Sequence, residues 1–73
     1  METLISQVFG IATDTVRDEL GFDSIDSWDS LTHMQLITAL EDRYKIQFTG
    51  DEIADMRSVG AARAALRAHG LAV

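Results

Sequence analysis

Asp29-Ser30-Leu31-Thr32-His33-Met34-Gln35-Leu36-Ile37-Thr38-Ala39-Leu40-Glu41-Asp42-Arg43-Tyr44 is the stretch that decides the fold. Leu31, Met34, Ile37, Leu40 and Tyr44 recur at helical spacing, and Leu36 and Ala39 widen the stripe toward a buried face. The spacing predicts a helix over 30–44, with Asp29 as its N-cap and the cations Arg43 and Lys45 near its negative end. Asp-Ser followed by an apolar residue occurs three times, at Asp23-Ser24-Ile25, Asp26-Ser27-Trp28 and Asp29-Ser30-Leu31. Only the third copy opens a helix. Unpaired backbone N–H groups and the positive end of the helix dipole favour an anion there, so a phosphate esterified to Ser30 is well placed.

Asp29-Ser30-Leu31, followed by Leu36, Leu40 and Glu41, resembles the modification site and second helix of the acyl carrier proteins. In that family the serine carries a 4'-phosphopantetheine arm. The family frame asks for leucine one, six and ten residues after the serine, and often glutamate at eleven. Ser30 supplies Leu31, Leu36, Leu40 and Glu41. Ser27 gives Trp28, His33, Ile37 and Thr38, and Ser24 gives Ile25, Ser30, Met34 and Gln35, so the register selects one serine of three. The resemblance covers nearly the whole chain. It implies an all-α fold, a small antiparallel four-helix bundle with a short third helix and a long first loop, in a single carrier domain over residues 1–73.

Composition agrees with a helical bundle. The chain has 73 residues with no proline and no cysteine, and helix formers abound without an alternating β-branched run. A chain of this size buries only roughly 60% of the surface its unfolded form exposes. With no disulfide or zinc ligand set, stability rests on packed helices. Met1 to Val8 contains neither a basic residue nor a long apolar run, which reads against a signal peptide or membrane span and for a cytoplasmic location; the chain is expected to be a monomer. The net charge of −6 disfavours nucleic acid as a partner. Residues 14–55 hold eleven acids against three bases, which directs attention to basic protein surfaces.

Leu4, Ile5, Val8 and Phe9 predict a first helix over about 3–9, stopped by Gly10. Val16, Leu20, Phe22 and Ile25 read as anchors of a long loop, with a helical turn over 16–20. Ile46 and Phe48 read as a short extended link, Asp51 to Met56 as a small third helix, and the segment from Ser58 to Gly70 as a fourth. Val59, Ala62 and Leu66 mark the inner face of that last helix, with Arg63 and Arg67 outside it.

Without the family frame, Ser30 reads as an ordinary helix-start serine. With it, Ser30 is the phosphopantetheine attachment point, flanked by Asp29, which sets the helix start, and Leu31. The resemblance implies docking contacts from Leu31, Glu41, Asp42, Met56 and Trp28. It also implies partners: a phosphopantetheinyl transferase, an acyl-loading ligase or acyltransferase, and a downstream synthase or transferase. Trp28 has a second reading, as a packing residue at N′ set against His33 at N4. Thr32 and Gln35 stand where many relatives have acids. These departures favour polyketide or other specialised metabolism over bulk fatty acid synthesis. His33 reads as a surface residue, and His69 as one that compensates the last helix's dipole. Met34, Ile37, Phe48, Ile53 and Met56 read as core, and in relatives this region can enclose an acyl chain. Asp23, Asp26 and Asp29 lack the alternation of a calcium loop, so no metal site is expected. No catalytic set appears, and the chain reads as a carrier rather than an enzyme. The rival reading is an unmodified acidic helical module for protein–protein interaction.

Overall fold

The computed structural model describes all of residues 1–73. Four helices form a bundle, as expected: α1 (Glu2–Phe9), α2 (Ser30–Tyr44), α3 (Gly50–Asp55) and α4 (Val59–Ala68). Ile5 and Phe9 of α1 are buried with Leu4 and Val8 half-buried beside them, and Gly10 ends the helix in the left-handed region at φ +67°. The core joins these to Leu36, Ile37 and Leu40 of α2, to Phe48 and Met56, and to Val59, Ala62 and Leu66 of α4.

The long first connection has its own fastenings. Its helical turn lies at Thr13–Thr15, ahead of the expected 16–20 segment, which instead contains only a tight turn closed by Leu20 N–H on the Arg17 carbonyl. Val16, Leu20, Phe22 and Ile25 are half-buried against the core, as their spacing suggests. The loop then crosses the start of α4. Leu20 O accepts from Val59 N–H at 2.8 Å and Asp18 O from Gly60 N–H at 2.9 Å, while Ser58 Oγ accepts from Ala61 N–H at 3.1 Å. The first three amides of α4, which a helix cannot satisfy internally, therefore all find partners. Arg63 completes the joint, reaching Asp18 of the loop and Glu2 of α1, each at 3.1 Å.

Two expectations about α2 are corrected. The buried stripe is His33, Leu36, Ile37 and Leu40, whereas Leu31 and Met34 face outward at 68% and 48% exposure. His33 is buried at 8% exposure because Trp28, itself 3% exposed, gives it a partner. Trp28 stacks on Phe9 with centroids 4.5 Å apart and lies 5.5 Å from Phe22. Its packing reading is the one the structure supports, and its burial removes it as an aromatic docking anchor.

The link to α3 is held by Glu41, whose Oε2 accepts from Phe48 N–H at 2.8 Å. α3 has only six residues, too few to be helical alone. Its start is secured by a reciprocal box in which Thr49 Oγ1 accepts from Glu52 N–H and Glu52 Oε1 accepts from Thr49 N–H. The other Glu52 oxygen meets His69 Nε2 at 2.9 Å, so His69 ties α3 to the end of α4 rather than acting through the dipole alone.

Candidate functional site

Ser30 occupies the first turn of the longest helix, exposed, with Asp29 as the N-cap. Asp29 Oδ1 accepts from Thr32 N–H at 3.0 Å, and Thr32 Oγ1 accepts from Asp29 N–H at 2.8 Å. The Thr32 hydroxyl also donates to the Ser27 carbonyl, so the chain is fixed on both sides of Asp29. The Thr32 N–H, then the Thr32 hydroxyl, hold the Asp29 carboxyl below the usual carboxylate range. Thr32, read from sequence only as a missing acid, is half of the capping box. The Asp-x-x-Thr spacing was the signal that could have found it.

The Ser30 backbone N–H has no partner within the chain. That orphan donor, at the positive end of a fifteen-residue helix, suits a phosphodiester on the neighbouring hydroxyl. The residues present therefore fit a phosphopantetheine group. Ser24 and Ser27 offer no such setting: Ser24 Oγ accepts from Gly21 N–H inside a turn, and Ser27 lies outside α2, two residues ahead of its N-cap. Asp23, Asp26 and Asp29 do not converge, and no three His, Cys, Asp or Glu side chains are grouped to hold a metal ion.

Leu31, Met34, Gln35, Thr38, Ala39 and Asp42 follow one another down the outer face of α2 and line a shallow depression of about 390 Å³. Of the residues expected to dock partners, the structure places Leu31 and Asp42 on this face, Leu31 next to Ser30 and Asp42 at the far end of α2. Glu41 is half-buried and its carboxylate is engaged by Phe48. Met56 is only 1% exposed, so its place as a docking contact is withdrawn. The residues suggested as an acyl-chain lining do not share a hollow: Ile37 and Phe48 are packed in the core while Met34 points outward. A second depression, of about 360 Å³, lies between α3 and α4, with Met56 and Ala65 among its lining residues. No helix is long and apolar enough to cross a membrane.

Comparison with known proteins shows the family. Residues 2–66 match the family described as the phosphopantetheine attachment site. An acyl carrier protein of Acidothermus cellulolyticus is 30% identical over 57 residues, covering 78% of this chain and 68% of that protein. The solution structure of a holo acyl carrier protein from Geobacter metallireducens superposes with a TM-score of 0.73 at 31% identity, covering 99% of this chain and 88% of that one. The chain thus belongs to the acyl carrier protein family, as a carrier of covalently attached 4'-phosphopantetheine and not an enzyme.

Proposed function

We propose that Ser30 is the attachment point and that residues 1–73 act as one carrier unit, shuttling acyl or aminoacyl groups between biosynthetic enzymes. The observation that carries this reading is the position of the Ser30 hydroxyl, exposed beside an unpaired N–H at a capped helix start. Bound phosphopantetheine supplies the thiol, which this cysteine-free chain lacks, and on it cargo is held as a thioester. The chain's own residues do the rest. Asp29 and Thr32 fix the first turn, so the arm leaves from a defined point, and the Ser30 N–H offsets phosphate charge. Tethering makes each transfer intramolecular at whichever enzyme docks.

Leu31 and Asp42 form the two ends of the docking face. A phosphopantetheinyl transferase, an acyl-loading ligase or acyltransferase, and a downstream synthase or transferase take turns on it. A specialised pathway, such as polyketide assembly, is supported by the outer face itself, where Met34, Gln35 and Thr38 leave it short of acids. Trp28 and Thr32, the other departures from the family frame, have structural work inside the fold and do not bear on pathway.

The test is intact-protein mass after incubation with coenzyme A, magnesium and a broad-specificity phosphopantetheinyl transferase. A single addition to wild type and Ser27→Ala, absent from a folded Ser30→Ala, is expected. Addition that survives in Ser30→Ala would move the attachment point elsewhere. No addition to folded wild type would favour the unmodified interaction module.

A further inference from the structure

His33 is the one buried titratable side chain that the carrier reading does not use. Both of its ring nitrogens are engaged. Trp28 Nε1 lies 3.2 Å from His33 Nδ1, and His33 Nε2 lies 2.9 Å from the Ile53 carbonyl in α3. An indole N–H can only donate, so Nδ1 must be the acceptor and carry no proton. The ring proton then sits on Nε2 and is donated to Ile53 O. The contacts thus assign the neutral Nε2–H tautomer.

The two bonds join three elements around the first turn of α2. Trp28 is the residue just before the Asp29 cap, and its ring is also stacked on Phe9 of α1. Ile53 O belongs to the last turn of α3, where carbonyls lack helical partners, and its other bond, from Met56 N–H, is long at 3.3 Å. His33 therefore caps a six-residue helix from the side. Phe22 closes the cluster, 5.1 Å from the imidazole centroid, under the Arg57 guanidinium.

We infer that His33 is a proton-operated clasp, which when neutral holds Trp28 and α3 together at the start of α2, and when protonated releases Trp28. Protonation puts N–H on both ring nitrogens. Nδ1–H then faces the indole N–H, donor against donor, where no buried polar side-chain atom is now unsatisfied. The Nε2 bond to Ile53 O survives the charge, and the conflict falls on Trp28, two residues before Ser30. The charged groups on the surrounding elements are Asp26 and Asp29 ahead of α2, Glu52 and Asp55 flanking Ile53 on α3, Arg57 over Phe22, and His69 on Glu52. None forms an ion pair with His33, so no carboxylate takes up the new proton's charge. The Asp29 and Glu52 carboxyls are held below their usual range by their capping N–H groups, so both stay charged down to about pH 5.

The experiment is nitrogen NMR of the imidazole, with hydrogen exchange of the indole N–H and backbone amides, between about pH 8 and 5, the range where histidines change charge. Wild type, His69→Gln and His33→Gln are compared, since a glutamine amide offers one acceptor and one donor without titrating. The expected result at pH 8 is a protonated Nε2 and bare Nδ1. On acidification, protection of the Trp28 indole falls at least tenfold in step with His33 in wild type and His69→Gln. Leu40 amide protection stays level, and His33→Gln shows no fall. A protonated Nδ1 at pH 8 overturns the inference. So does indole protection that ignores the His33 titration, that falls together with Leu40, or that falls equally in His33→Gln. If His33→Gln does not fold, the tautomer and the coincidence of the two transitions in wild type and His69→Gln decide.

Discussion

Gly21→Ala probes the joint on which the long loop depends. A Cβ at Gly21 would lie 2.4 Å from the Arg57 carbonyl oxygen and 3.3 Å from Ser58 Cα, both backbone atoms that cannot rotate away. Reaching even a tolerable contact means separating the two strands of chain by about 0.6 Å or more. Three hydrogen bonds cross this junction: Phe22 N–H to Arg57 O at 3.3 Å, Val59 N–H to Leu20 O at 2.8 Å and Gly60 N–H to Asp18 O at 2.9 Å. At a net ~1 kcal/mol each, their loss costs about 3 kcal/mol. That is a large share of the ~5 kcal/mol typical at the low end for small domains. With a urea slope of about 1 kcal/mol/M, the unfolding midpoint should fall by roughly 3 M. Trp28 is the sole tryptophan and is packed between Phe9 and Phe22, so its fluorescence reports the transition. Gly50→Ala is the control: nothing lies within 4 Å of its Cβ position, and it should gain about 0.5 kcal/mol. A Gly21→Ala loss below about 1 kcal/mol, with Val59 and Gly60 amides still protected, would refute the reasoning.

Three further outcomes follow from the same contacts. Lys45 ends α2 in the left-handed region at φ 56°, so Lys45→Gly should raise stability by about 0.5 kcal/mol in urea unfolding, the backbone relief exceeding the added chain entropy. Glu41→Leu should cost about 1 kcal/mol by leaving Phe48 N–H without its acceptor, whereas Glu41→Gln should cost less, both read from the same urea midpoints. Asp29 and Glu52 have folded pKa values below their ordinary 3.8 and 4.5, so the stability they contribute is complete above those values and is lost as pH falls below them. Urea midpoints measured down to about pH 3 should decline from pH 4.5 downward, and less steeply in Asp29→Asn, which keeps a capping oxygen without titrating.

Most of the helical skeleton was legible because its punctuation is chemical. Gly10 at a left-handed stop, Asp29 and Ser58 at helix starts, and Val59, Ala62 and Leu66 at helical spacing all name their roles by residue type. The face of α2 was misread for a physical reason. Two overlapping stripes fit the same spacing, one through Leu31 and Met34 and one through His33 and Leu36, and apolarity favours the first. The second wins because Trp28 and the Ile53 carbonyl satisfy the imidazole, and a tertiary partnership of that kind leaves no mark in the periodicity of α2. The bonding of the long loop to α4 was hidden similarly. Its acceptors are the carbonyls of Asp18 and Leu20, which every residue type possesses, and only Gly21 and Gly60 hint at the close approach.

The helices on either side of the core differ in how they are held, and the difference bears on the site. The first turn of α2 is fixed from within its own neighbourhood, through the Asp29–Thr32 box, the Thr32 bond to Ser27 and the burial of Trp28. Beyond its own Thr49–Glu52 box, α3 depends on donors and acceptors from elsewhere, with Glu52 joined to His69 of the α4 end and Ile53 O joined to His33. A short helix secured by distant partners opens at lower free energy than one secured locally and packed along its length. The first turn of α2, which carries Ser30, is thus the more locally secured of the two while neutral His33 holds Trp28. Because His33 reaches α3 from inside α2, any movement of the short helix is felt one turn from Ser30.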